Sequence, residues 1–276
     1  MAGLIALFAA APADAQPPAP RPAPTVSRAA APGSSDSLAG FADRAELALA
    51  SPVIARATIA AVRSVPLKAA IGAPAGRVRL LVTADVINVL TAPAAVPPRL
   101  TFLWDAPADA RGRAPAAKGR DVLLFLAPPA ANGATRLMSR RGVQPWGDAL
   151  ADAVRGVLRA AKGGDVPMIT GVDRGFHAEG TVAGESESQY FLATADGRPA
   201  VLVVQNRPRE AVRVTLAQGE IIDDSAQAIA PGTLTWYQLA CVLPRALPAA
   251  AGGADAMLAR DWQAALASLG PCDRTN

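Results

Sequence analysis

Aromatic side chains make up only 4% of this 276-residue chain, against 51% apolar residues overall, much of that alanine. A core of such composition is built from Ala, Val and Leu with few large anchors. Histidine occurs once, at His177, and cysteine twice, at Cys241 and Cys272. That excludes a zinc site built on His/Cys spacing. It also obliges any serine or cysteine hydrolase with a histidine base to use His177. The sequence has no Gly-x-Ser-x-Gly elbow, no Gly-rich loop followed by Lys-Ser/Thr, no dinucleotide fingerprint and no Asp-x-Asp-x-Asp-Gly calcium loop. The glycines at 72, 76, 163 and 164 therefore read as turns, and no cofactor is expected.

Long apolar runs are also missing. The most apolar stretch, Met1 to Ala15, falls short of the ~20 residues a membrane-spanning helix needs. Its apolar body and the small-x-small end Ala13-Asp14-Ala15 match a secretory signal cut before Gln16. The basic leader of such a signal is absent, since Arg21 is the first cation. The expected start then lies upstream of Met1, or the segment is not a signal. Residues 16–35 are dense in Pro, Ala and Ser and form a linker. The mature chain is expected to be periplasmic or secreted, without an integral membrane segment.

Charge is unevenly placed. Residues 36–162 hold 17 basic and 9 acidic residues, whereas 163–276 hold 8 and 13. This shift places a domain boundary near Gly163, giving domains over 36–163 and 164–276. The arginines of the basic half are dispersed and lack interleaved aromatics, so nucleic-acid binding is not expected.

The clearest strand signal is Arg77–Leu90. Val78, Leu80, Val82, Ala84 and Val86 alternate with polar residues until the pattern slips by one near Ile87-Asn88. Such a slip reads as a β-bulge, which bends a strand around a small barrel. Further strands are expected at 52–65, 99–104, 121–126 and 136–141, after a short helix capped by Asp36. Val122–Leu126 is apolar on both faces and suits a central strand. The loop 106–119 reads as a mobile excursion, and 148–162 as a helix stopped by Gly163. The second half shows short strands at 175–182, 187–194, 199–206 and 211–216, with Asp196-Gly197 as a hairpin turn. Residues 233–243 mix strand composition with helical spacing and lean to helix. Residues 255–269 form a helix whose stripe is Leu258, Trp262, Ala265, Leu266 and Leu269.

The expected fold class is mainly β with flanking helices: an OB-like β-barrel, then a small antiparallel β domain with C-terminal helices. The succession "ADRAELALASPVIARATIAAV", "VRLLVTADVINVLTA", "PRLTFLWD", "KGRDVLLFLAP" resembles the exported netrin-like (TIMP/netrin-type) modules of bacteria, over about residues 36–145. That resemblance implies an OB-fold-like barrel. Metalloprotease inhibition in that fold works through an N-terminal cysteine, and this chain has none before Cys241. The runs "GESESQYFLATADGRPAVLVV", "WYQLACVLP" and "SLGPC" resemble exported bacterial proteins of unassigned activity, which implies no reaction.

Two cysteines in an exported chain pair most economically as one disulfide, Cys241–Cys272. His177, on a strand with Glu179 and Thr181 opposite Phe176, is expected on the polar face, solvated; as a catalytic base it would need Glu179, Glu185 or Glu187 to orient it. Glu185, Glu187, Asp223 and Asp224 are the candidate oxygen ligands for a cation, though no metal is expected and a solvated strand edge is the better reading of them. Gln144 and Trp146, with the 106–119 loop, are the candidate partner contacts. The expected function is an exported, non-enzymatic module binding an envelope protein or component. The alternative is a hydrolase using His177 as base.

Overall fold

The computed structural model describes residues 36–66, 68–218 and 227–275, so the expected signal and linker lie outside the described residues. These described residues pack as one compact unit. Its order is α1 (Phe41–Ala50), β1 (Val53–Ser64), β2 (Arg77–Thr91), β3 (Arg99–Pro107), β4 (Asp121–Leu126), β5 (Val143–Pro145), α2 (Asp148–Gly163), β6 (Ile169–Glu179), β7 (Ser186–Thr194), β8 (Ala200–Asn206), β9 (Arg213–Gln218), β10 (Gln227–Ala228), α3 (Leu234–Tyr237) and α4 (Ala256–Leu269). Two antiparallel sheets result, β3-β2-β1-β4-β5 and β10-β9-β8-β7-β6. The protein is thus mainly β with flanking helices, as its composition of alternating runs requires.

In the first sheet the alternation of β2 is realised: Leu80, Val82 and Ala84 are fully buried and meet Leu100, Phe102, Trp104 and Leu124. Ala57 pairs with Val86 and Arg56 with Asn88, so Ile87 is the extra residue of a bulge. Further register shifts in the same β1–β2 pair bend it more. The sheet curls into a half-barrel, gripped at one end by residues 133–138. There Thr101 donates to Gly133 O and accepts from Thr135 N, both at 2.9 Å, while Met138 N donates to Phe125 O at 3.0 Å. A Cβ on Gly133 would stand 2.2 Å from Arg99 O, so this closure requires glycine. The strand expected over 136–141 is a turn with one isolated bridge, Leu126–Leu137, and pairing resumes only at β5. β4 has an apolar face on each side: Leu124 and Leu126 enter the barrel, Leu123 and Phe125 the second core.

That second core is shared by both halves of the chain. It joins α1, Leu123, Phe125 and α2 to Tyr190, Leu202, Trp236 and Trp262. Alanines 42, 45 and 48 face inward on α1, and Ala151, Val154 and Val157 on α2, and these small residues let the two helices approach closely. Gly163, the expected boundary, ends α2, with one sheet before it and one after. Asp196-Gly197 makes the β7–β8 turn, with Gly197 at φ 72°. The ambiguous 233–243 segment is helical, α3 running into a π-helical turn at Gln238–Val242.

Asp36 does not cap α1. It forms a bidentate ion pair with Arg77 at 2.5 and 2.7 Å. The cap comes instead from the other end of the chain, where Asp273 accepts from Phe41 N (2.6 Å) and Ala42 N (2.8 Å). Asp43, whose side chain is wholly buried, accepts from Arg141 at 2.9 Å and from Thr275 through N (3.0 Å) and Oγ1 (2.6 Å). Arg141 also donates to Ser37 O and Thr275 O. The expected disulfide joins Cys241 to Cys272, with Cα atoms 5.1 Å apart, and fastens this tail to the π-helical turn. Trp236 Nε1 donates to Leu269 O at 2.8 Å beside it.

Closing a loop of 31 residues with this disulfide should stabilise by roughly 3–4 kcal/mol in the chain-entropy model. Urea unfolding of the Cys241→Ala/Cys272→Ala protein should show that loss, and thiol titration of the denatured, unreduced wild type should find no free thiol. Burial raises the Asp43 pKa, but the hydrogen bonds from Arg141 and Thr275 outweigh it and hold the carboxyl below its ordinary value. Its contribution is therefore complete above the unfolded pKa of about 4 and is lost as pH falls through the lower folded value. Wild type should lose urea stability on acidification below about pH 4, and Asp43→Asn should start less stable and fall less steeply over that window.

Candidate functional site

The lone histidine lies in a polar cluster between the second sheet and α4. In the β6–β7 register His177 stands directly opposite Ser188. Two residues along each strand, Gly175 and Tyr190 share the face turned to α4. A Cβ on Gly175 would come within 3.2 Å of the Leu258 methyls, so that residue leaves room for the helix. α4 starts on Asp255, whose side chain accepts from Met257 N and Leu258 N, and it presents Leu258, Asp261, Trp262 and Ala265 to the sheet. Tyr190 packs edge-on against Trp262 and donates to Leu258 O at 2.6 Å; burial pushes its phenol pKa up.

The cluster is small and ordered. Ser188 Oγ donates to Asp261 Oδ2 at 2.7 Å and lies 2.8 Å from His177 Nδ1. His177 Nδ1 is 3.4 Å from the same carboxylate oxygen. Arg260 closes the other side, its Nε and Nη2 donating to Asp261 Oδ1 at 3.1 and 3.0 Å. A hydroxyl has one proton, and here it goes to Asp261. His177 Nδ1 must then carry a proton and donate to Ser188. His177 Nε2 is buried and has no hydrogen-bond partner among the described residues.

A nucleophilic triad places the imidazole between hydroxyl and carboxylate, with a ring lone pair facing the hydroxyl. Here the hydroxyl stands between imidazole and carboxylate, and the imidazole offers it an N–H. Ser188 is 0% exposed and Asp261 1%, so neither meets a substrate at the surface. What the arrangement does chemically is hold a buried carboxylate with three direct donors, Ser188 Oγ and Arg260 Nε and Nη2. His177 is half-buried, and its neighbour Phe176 is the exposed one at 58%, so the strand's faces are the reverse of the sequence expectation. The sequence did carry a signal for Asp261. It stands three residues after Leu258 and one before Trp262, an acid on the apolar stripe of α4.

The other expected site residues are dispersed. Gln144 is buried, its amide donating to Asp36 O (2.8 Å) and Arg141 O (2.7 Å), so it is bound to the interior and not open to a partner. Trp146 is half-buried beneath the Arg56 guanidinium, 4.4 Å from the ring centroid. The 106–119 loop is tied down: Asp109 accepts from Arg111 N, Arg113 N and Arg113 Nε, and Ala117 is buried in the barrel core. Glu187 accepts from Gln189 and Gln205, a pairing suited to a strand face. No group of three His, Cys, Asp or Glu among the described residues could hold a metal. Asp223 and Asp224 lie outside the described residues.

Sequence reasoning missed a groove of about 690 Å³ between the end of α1, the end of β2 and one side of α2. Leu49, Val89, Leu90 and Leu158 give it apolar walls, and Arg155, Arg159 and Lys162 line the α2 side. Arg155 pairs with Asp152 at 2.9 Å; Arg159 and Lys162 are exposed and form no ion pair among the described residues. Their spacing, 155, 159 and 162, sets all three on one face of the helix.

Ser188→Ala should lower stability by about 1–3 kcal/mol, the cost of leaving a buried acceptor short of a donor. Asp261→Ala should cost more, because it strands Ser188 and His177 together; urea denaturation of both variants beside wild type checks the order. No known protein-family model and no curated protein matches this chain.

Proposed function

We propose that the chain is an exported, non-enzymatic binding module whose partner is a component of the cell envelope. The observation that carries this reading is the groove beside α2. It has apolar walls and three cations along one side, two of which have no ion pair among the described residues, and its volume lies in the range of ordinary ligand sites. Support for export comes from the disulfide, which persists in oxidising compartments. No helix among the described residues is long and apolar enough to cross a membrane, which is compatible with that placement. The resemblance of residues 36–145 to exported netrin-like modules points the same way, by analogy of fold.

Hydrolysis with His177 as base is the second reading, favoured by the 2.8 Å contact to a serine hydroxyl. Weighing against it are the burial of Ser188 and the order of the hydrogen bonds, which give the imidazole proton to the hydroxyl. In a pull-down from an envelope fraction, the secreted form should capture a partner that His177→Ala retains. An ester- or peptide-hydrolysing activity abolished by both His177→Ala and Ser188→Ala, in variants that still fold, would overturn the binding reading.

A further inference from the structure

Given that reading, we infer that the groove beside α2 binds an extended acidic segment of a partner protein, with carboxylates at alternate positions and apolar residues between them. The first argument is charge. Arg155, Arg159 and Lys162 gather on one wall, and among the described residues the only carboxylate paired with them is Asp152. Two of the three cations have no counter-ion among the described residues. Such a wall attracts an anion and repels a basic segment.

The second argument is spacing. Four residues of α-helix advance about 6 Å, and alternate residues of an extended chain about 6.6–6.8 Å. Carboxylates at every second residue can therefore meet Arg159 and, in exchange for its exposed pair with Asp152, Arg155 in turn. The intervening side chains of an extended peptide point the opposite way. For those side chains the groove offers Val89 on its β2 wall, 38% exposed. Asn88 and Thr91 on the same wall supply hydrogen-bonding groups for a peptide backbone. A membrane surface has the charge but not the shape, because it is flat and cannot enter a concave groove behind α2.

The test is fluorescence anisotropy with a labelled synthetic peptide of alternating glutamate and leucine, beside its lysine–leucine counterpart. The acidic peptide should bind saturably, the basic one should not, and added salt should weaken binding. Arg159→Glu/Lys162→Glu should lose at least about tenfold in affinity, equivalent to 1.4 kcal/mol. Val89→Glu, which leaves the cations in place, should also weaken binding; unchanged urea midpoints show that both variants fold. Equal binding of the two peptides, or undiminished binding by the double variant, overturns the proposal. So does displacement of the peptide by vesicles of anionic lipid, or a dimer of this chain that the double variant abolishes. An envelope partner still captured by the double variant would defeat the groove while leaving the binding-module reading intact; no partner captured by wild type would defeat that reading itself.

Discussion

The structure depends on one buried carboxylate. Asp43 sits on the first turn of α1 with no exposure of its side chain, and burying a charge in this way is costly unless donors surround it. Arg141 and Thr275 supply them, and they come from the loop before β5 and from the chain's last residues. One charge thus ties together α1, the rim of the half-barrel and the C-terminal tail. Asp273 acts beside it as a cap for α1, and the disulfide at Cys272 fixes the tail from which Thr275 and this cap project. An isolated charge here would be a liability; a satisfied one specifies which segments must meet.

The second buried charge, Asp261, follows the same logic on the opposite side of the core. It sets α4 against the second sheet by collecting protons from Ser188 and Arg260, with His177 behind the hydroxyl. A core poor in aromatics has few large shapes to define how a helix lies on a sheet. Trp262 against Tyr190 is one such contact, and the Asp261 network supplies direction where packing of Ala, Val and Leu does not. The cluster resembles a catalytic triad in membership only. The order of donors and acceptors, not the identity of the residues, separates a nucleophile from a structural hydroxyl.

The proposed function draws on what is left unsatisfied. Most arginines of the basic half are spent on structure: Arg77 on Asp36, Arg79 on Asp105, Arg56 on Asp121 and Trp146. Two of the cations without an ion pair among the described residues, Arg159 and Lys162, stand on the outer side of α2, next to the bulged end of β2. The same bulge that curves the sheet turns Ile87 and Val89 outward, so a device of architecture also furnishes an apolar wall.

Local pattern determined a good deal. The alternation of β2, the bulge at Ile87, the doubly apolar β4, the Asp196-Gly197 turn and the stripe of α4 were all legible, because each is set by periodicity or by turn chemistry within a few residues. The cysteine count in a chain read as exported was enough for the disulfide. The sequence failed where a polar residue takes its partner from far along the chain. Asp36 has the composition of a helix cap but is claimed by Arg77, and the cap comes from Asp273, more than two hundred residues away. Gln144 looked like a loop contact and is buried by carbonyl groups of Asp36 and Arg141. His177 faces inward because register sets it opposite Ser188 and Gly175 lets α4 approach, neither of which is written in its own neighbourhood. Periodicity is a property of one segment. Pairing of buried polar groups is a property of the packed molecule, and only the tertiary structure decides it.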